Sequence, residues 1–135
     1  MTPAERNQCA VLAHLLTSGA VLRTLGLACS ALAAAILMFG SIALKAQWLA
    51  AAVLMLGALE RYMALRLQFD AGLFAELART LDLADLDAAL ERLGLRAPEA
   101  RTLQARIRGT LVWFYAHGAC VVLQLAGLVL VRLLS

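Results

Sequence analysis

The chain has 135 residues, 63% of them hydrophobic and 16% charged, with a formal net charge of +3 and a mean hydropathy of +0.82. Soluble domains carry roughly 45–50% apolar residues, and a domain this small has too much surface for its volume to hide a larger share. These quantities exclude an ordinary soluble domain and point to a chain that uses a bilayer as part of its solvent.

Residues 1–23 read as an amphipathic helix. Thr2-Pro3-Ala4-Glu5 has the form of a capping box with proline at the first helical position. Val11, Leu12, Leu15, Leu16, Gly19 and Leu22 then recur at helical spacing, partly opposite Gln8, His14 and Thr17. Such a helix lies in the headgroup region or leads straight into the first span. Arg6 and Arg23 enclose too few residues for a span of their own. The balanced charge of the first eight residues and the length of the next apolar run do not fit a cleavable signal, and no lipidation motif is present.

Residues 24–66 are predicted to form a transmembrane hairpin. The run 24–44 is uninterrupted, and a helix rising about 1.5 Å per residue needs about 20 such residues to cross a hydrocarbon core about 30 Å thick. A turn at Lys45-Ala46-Gln47 leads to a shorter run, 46–59, which ends abruptly at Glu60-Arg61. Gly26, Ser30 and Ala34 form a small-residue ladder in the first span, and Ala46, Ala50 and Gly57 repeat it in the second. Small residues let helix backbones approach closely.

Residues 67–109 read as a helical unit outside the apolar runs. Leu65, Phe69, Leu73 and Leu77 recur every fourth residue, which carries the second helix onward to a break near 80–82. Asp82 or Asp85 can cap a short helix with Leu86, Leu90 and Leu93 on one face, ended by Gly94. Pro98 and Glu99 suit the first turn of a final helix. That helix runs through Gly109, Gly118 and Gly127 into the third span, 110–135, where only His117 and Gln124 interrupt the apolar run 110–131. Arg66 and Asp70, four residues apart, are placed to pair.

Charge sets the orientation. Arg6 and Arg23 precede the first span, and eight arginines lie between the second and third, whereas the hairpin turn holds only Lys45 and the tail only Arg132. Lys and Arg mark the cytoplasmic side. The expected order is N-terminus in, turn out, central unit in, C-terminus out, and three spans satisfy it without conflict. Abundant Ala, Leu and Arg beside a single lysine fit a GC-rich bacterial genome, hence an inner-membrane location. Within the central unit, 82–91 is acidic and 92–108 almost purely basic, a solvated surface next to anionic headgroups. Without a net basic domain or interleaved aromatics, nucleic acid is not an expected partner.

Three groups carry the polar chemistry. Glu60 lies about 21 Å into the second span, and His117 about 10 Å into the third from the opposite end, so the two fall at matching depth. Two arrangements are open: a polar intramembrane cluster of Glu60, Arg61 and His117, or a tilted second helix that puts Glu60 and Arg61 at the interface. On the third span Trp113, His117, Cys120, Gln124 and Gly127 share a face suited to helix packing. The ladder Gly26, Ser30, Ala34 and the stripe Cys120, Gln124, Gly127 belong to opposite halves of the span, so at least one is expected to meet another chain. Cys9, Cys29 and Cys120 are too few and too scattered for a disulfide framework or metal site, and His14 and His117 fall at different depths, which disfavours a haem within one chain. No catalytic set or phosphate loop is present.

The expectation is an all-α integral membrane protein with three transmembrane helices, an N-terminal amphipathic helix and a cytoplasmic helical hairpin, and without a cofactor or metal. The expected role is a non-enzymatic accessory or scaffold subunit, with lipids and either further copies or other membrane subunits as partners. A self-assembling channel or pore is the alternative.

Overall fold

A computed structural model describes residues 1–40, 42–80, 82–94 and 102–135, and every regular element in it is an α-helix. In chain order these are α1 (Pro3–Ser18), α2 (Ala20–Phe39), α3 (Leu44–Arg79), α4 (Leu83–Arg92) and α5 (Leu103–Leu134). Three helical stretches, Pro3–Phe39, Leu44–Arg79 and Leu103–Leu134, are long and apolar enough to cross a membrane.

Local chemistry sets the helix ends. The Thr2 amide donates to the Glu5 carboxylate (2.7 Å) and the Glu5 amide to Thr2 Oγ1 (3.3 Å), a reciprocal cap that starts α1. The break between α1 and α2 falls at Gly19, so 20–23 belong to the second helix. Gly94 closes α4 with φ +66°, a left-handed conformation that glycine adopts without a Cβ clash. Thr102 Oγ1 accepts from the Ala105 amide (3.3 Å) at the start of α5. Pro98 and Glu99, expected to open that helix, lie outside the described residues, as do Arg96 and Arg101.

The chain divides into two compact units, Met1–Ser18 with Leu67–Val112, and Gly19–Arg66 with Trp113–Ser135. In the first, buried side chains come from α1 (Cys9, Leu12, Ala13, Leu16), α3 (Leu67, Phe74, Leu77), α4 (Leu86, Leu90) and α5 (Leu103). Polar links tie the same elements: Gln104 to Gln8 (3.1 Å), Arg106 to Asp87, Thr110 to Asp70 (3.1 Å), and Arg6 to the Arg79 carbonyl (3.3 Å).

Several details differ from expectation. Val11 and Leu15 are exposed, because α1 turns toward the smaller Cys9 and Ala13 and keeps only Leu12 and Leu16 of the expected face inward. On α3 Leu65 and Phe69 are exposed, whereas Leu77 of the expected row is buried together with Leu67 and Phe74. Asp82 occupies the N-cap position of α4 and its carbonyl accepts from the Leu86 amide (3.0 Å), but its carboxylate makes no cap bond and meets the N-terminal ammonium instead (3.4 Å). Arg66 does not pair with Asp70: its guanidinium lies over the Trp113 ring, and Asp70 accepts from Thr110.

The second unit is a three-helix bundle of α2 with the adjoining portions of α3 and α5. Ala46, Ala50 and Val131 are packed together at one level with Ile36, Leu37, Ile42 and Leu49 around them. Fourteen residues separate Ala46 from Glu60, and fourteen separate Val131 from His117. At about 1.5 Å per residue both run about 21 Å from that shared level, which is why they meet.

Candidate functional site

Glu60 is 0% exposed and His117 2%, the most deeply buried ionisable pair among the described residues. Transfer of an ionised carboxylate into an apolar interior is prohibitive unless the charge is paired and hydrogen-bonded. The bundle supplies both. His117 Nε2 lies 2.6 Å from Glu60 Oε1, and Arg61 Nε donates to Glu60 Oε2 at 3.1 Å. Arg61, whose side chain is 39% exposed, also donates through Nη2 to the Arg23 carbonyl of α2. The guanidinium therefore links α2 to α3, and the carboxylate links α3 to α5.

Gly26 makes room for this pair. A Cβ there would come within 2.7 Å of the Glu60 carboxyl carbon and 2.8 Å of Oε2. Only a backbone without a side chain lets α2 lie directly on the carboxylate. His117 Nε2 is the ring nitrogen that faces Oε1. His117 Nδ1 has no partner among the described residues.

A second polar layer follows toward the Ala46 level. Gln124, fully buried, donates through Nε2 to Ser30 Oγ (3.2 Å), and Ser30 donates in turn to the Gly26 carbonyl (2.9 Å). Gly57 of α3 faces both: a Cβ on it would collide with Ser30 Oγ and come within 2.8 Å of Gln124 Nε2. Gly127 then packs on Val53, whose Cγ2 would be 2.5 Å from an added Cβ. Cys29 and Cys120 are buried free thiols, and Ala34 is half-buried.

The ladder and the stripe therefore do meet within one chain. The expectation that a compact three-helix unit could not pair Gly26, Ser30 and Ala34 with Cys120, Gln124 and Gly127 considered their outer ends. Ser30 and Gln124 are their middles, and Gly57 lets the three helices close around them.

One further cluster escaped the sequence. Tyr62 and Trp113 meet edge to face with ring centroids 6.4 Å apart, and the Arg66 guanidinium stands 4.8 Å from the Trp113 centroid. The signal was available: Tyr62 and Arg66 are four residues apart on α3, and Trp113 precedes His117 by four on α5. Matching Glu60 with His117 therefore puts Trp113, one turn before His117, at a level between Tyr62 and Arg66, two and six residues past Glu60.

Chemically the buried residues form a helix-clamping network. Each of the four buried polar or charged side chains among the described residues, Glu60, Thr110, His117 and Gln124, has a partner on another helix. Among the described residues no group of three or more His, Cys, Asp or Glu is arranged to hold a metal ion. Comparison with protein-family models, with curated proteins and with solved structures yields no match.

Proposed function

We propose that this chain is a non-enzymatic scaffold or accessory subunit of a bacterial inner-membrane assembly. Its three-span bundle is the anchor, and its charged helical unit is the part offered to partners on the cytoplasmic side. The N-terminus is then cytoplasmic and the C-terminus outside. The observation that carries this reading is that each buried polar side chain among the described residues has a partner on another helix, with apolar residues such as Leu25, Leu32, Met55, Val122 and Val129 on the outside. A water-filled lumen needs polar groups lining a path; here they face one another in separate layers, which disfavours a channel. A catalytic group needs reach to a substrate, and Glu60 has none.

The test combines site-specific photo-crosslinking in cells with electrical recording. A crosslinker at Ala89 on α4 is expected to give a discrete adduct with one other membrane subunit. A crosslinker at Met55 is expected to give lipid adducts only. The purified protein in planar bilayers is expected to pass no current. Reproducible single-channel conductance would overturn the scaffold reading in favour of a pore.

A further inference from the structure

We infer that Tyr62, Arg66 and Trp113, with the stripe Met55–Leu59 on α3, form a binding site for one anionic phospholipid at the cytoplasmic edge of the bundle. The inference rests on the membrane reading above and adds a specific ligand to it. Met55, Leu59, Tyr62 and Arg66 follow one another at spacings of four, three and four residues, so they share one face of α3. Met55, Leu59 and Tyr62 are exposed, and so is Arg66. From outside to inside the face therefore reads thioether, aliphatic, phenol, guanidinium. A phospholipid presents the same order: acyl chain, ester region, phosphate.

The distances agree. Ala46 to Arg66 is twenty residues, about 30 Å of helix, which is the thickness of the hydrocarbon core. Arg66 thus stands at the level of the phosphates. Trp113 lies eighteen residues from Val131, about 27 Å from the same starting level, where interfacial tryptophans concentrate. Met55 lies eleven residues before Arg66, about 16 Å deeper, roughly the reach of one leaflet.

Charge points to an anionic headgroup. Arg66 has an aromatic face as its partner, and a cation–π contact does not consume N–H donors as a carboxylate would. Among the described residues no carboxylate takes those donors, and the donor fork suits a phosphodiester. Trp113 is itself braced by Tyr62. The arrangement holds one cation ready at the height where lipid phosphates lie. Arg61 differs, since Glu60 and the Arg23 carbonyl already engage it.

The experiment uses the full chain with Trp48→Phe, so that Trp113 is the only tryptophan. It is reconstituted in nanodiscs of phosphatidylcholine containing a minor fraction of phosphatidylglycerol. Quenching of Trp113 is compared when bromine is carried near the headgroup end of either the phosphatidylglycerol or the phosphatidylcholine chains. The expected result is phosphatidylglycerol enrichment at Trp113 of about fivefold over its mole fraction, the factor expected of one interfacial cation. Arg66→Gln should abolish the preference, and Arg66→Lys should retain part of it. Inorganic phosphate in solution should displace nothing. Equal quenching by the two lipids in wild type and Arg66→Gln would overturn the site while leaving the membrane reading intact. Absence of quenching by either lipid would overturn both. Displacement by inorganic phosphate would overturn the lipid as occupant.

Discussion

Replacing His117 by Leu removes the cross-helix partner of a carboxylate that has no contact with solvent. Glu60 Oε1 sits 2.6 Å from His117 Nε2, and after the substitution it faces a leucine, while Oε2 keeps Arg61. Removing one member of a buried pair costs about 3–5 kcal/mol, whereas replacing both members is often nearly neutral. The surviving Arg61 contact puts the expected loss near the lower end, about 3 kcal/mol. Glu60→Gln preserves the planar shape that fits beneath Gly26 and, alone, keeps a hydrogen bond to His117, so about 1 kcal/mol is expected. Glu60→Gln combined with His117→Leu is expected to be more stable than His117→Leu alone, because no buried carboxylate is left facing a leucine, and Arg61, 39% exposed, keeps the Arg23 carbonyl. Reversible unfolding of the four proteins, by titrating a denaturing detergent into mild-detergent micelles, measures the cycle. Additivity within about 0.5 kcal/mol would show that Glu60 and His117 do not interact and would refute the reasoning.

Gly57→Ala is expected to lose about 1–3 kcal/mol in the same assay, since its Cβ collides with Ser30 and Gln124. Gly72→Ala, with nothing within 4 Å, should be neutral or gain up to about 1 kcal/mol from helix propensity. Arg106→Gln removes the charge paired with Asp87 and should raise amide hydrogen exchange in α4, with little change in the Glu60 layer. Ser30→Leu should destabilise the isolated chain, because Ser30 packs on Gln124 and Gly57 within it. An unchanged chain that loses only self-association would show that Ser30 faces another copy.

The helices and their apolar runs were legible because length and periodicity are carried by the side chains themselves. The level of Glu60 and His117 was legible too, since helical rise is constant and two counts can be compared. Arg61 shows what was hidden: its second partner is the Arg23 backbone carbonyl, and a carbonyl leaves no trace in the choice of residue. On α1, Leu12 and Leu16 fit one helical face as well as Val11 and Leu15 do, and only tertiary packing decided for the face that also carries Cys9 and Ala13. For Arg66 the local rule favoured Asp70 at four residues. The indole of Trp113, distant in sequence, offered a broader surface than an exposed ion pair worth a few tenths of a kcal/mol.

The central claim is that the arginine-rich central unit and the hairpin turn lie on opposite sides of a membrane. Single cysteines at Gln47, Ala89 and Ser135, all exposed positions, test it in a background where Cys9, Cys29 and Cys120 are replaced. In intact cells a membrane-impermeant thiol reagent should label residues 47 and 135 and should reach residue 89 only after lysis. Labelling of residue 89 in intact cells, or protection of residues 47 and 135, would contradict the account.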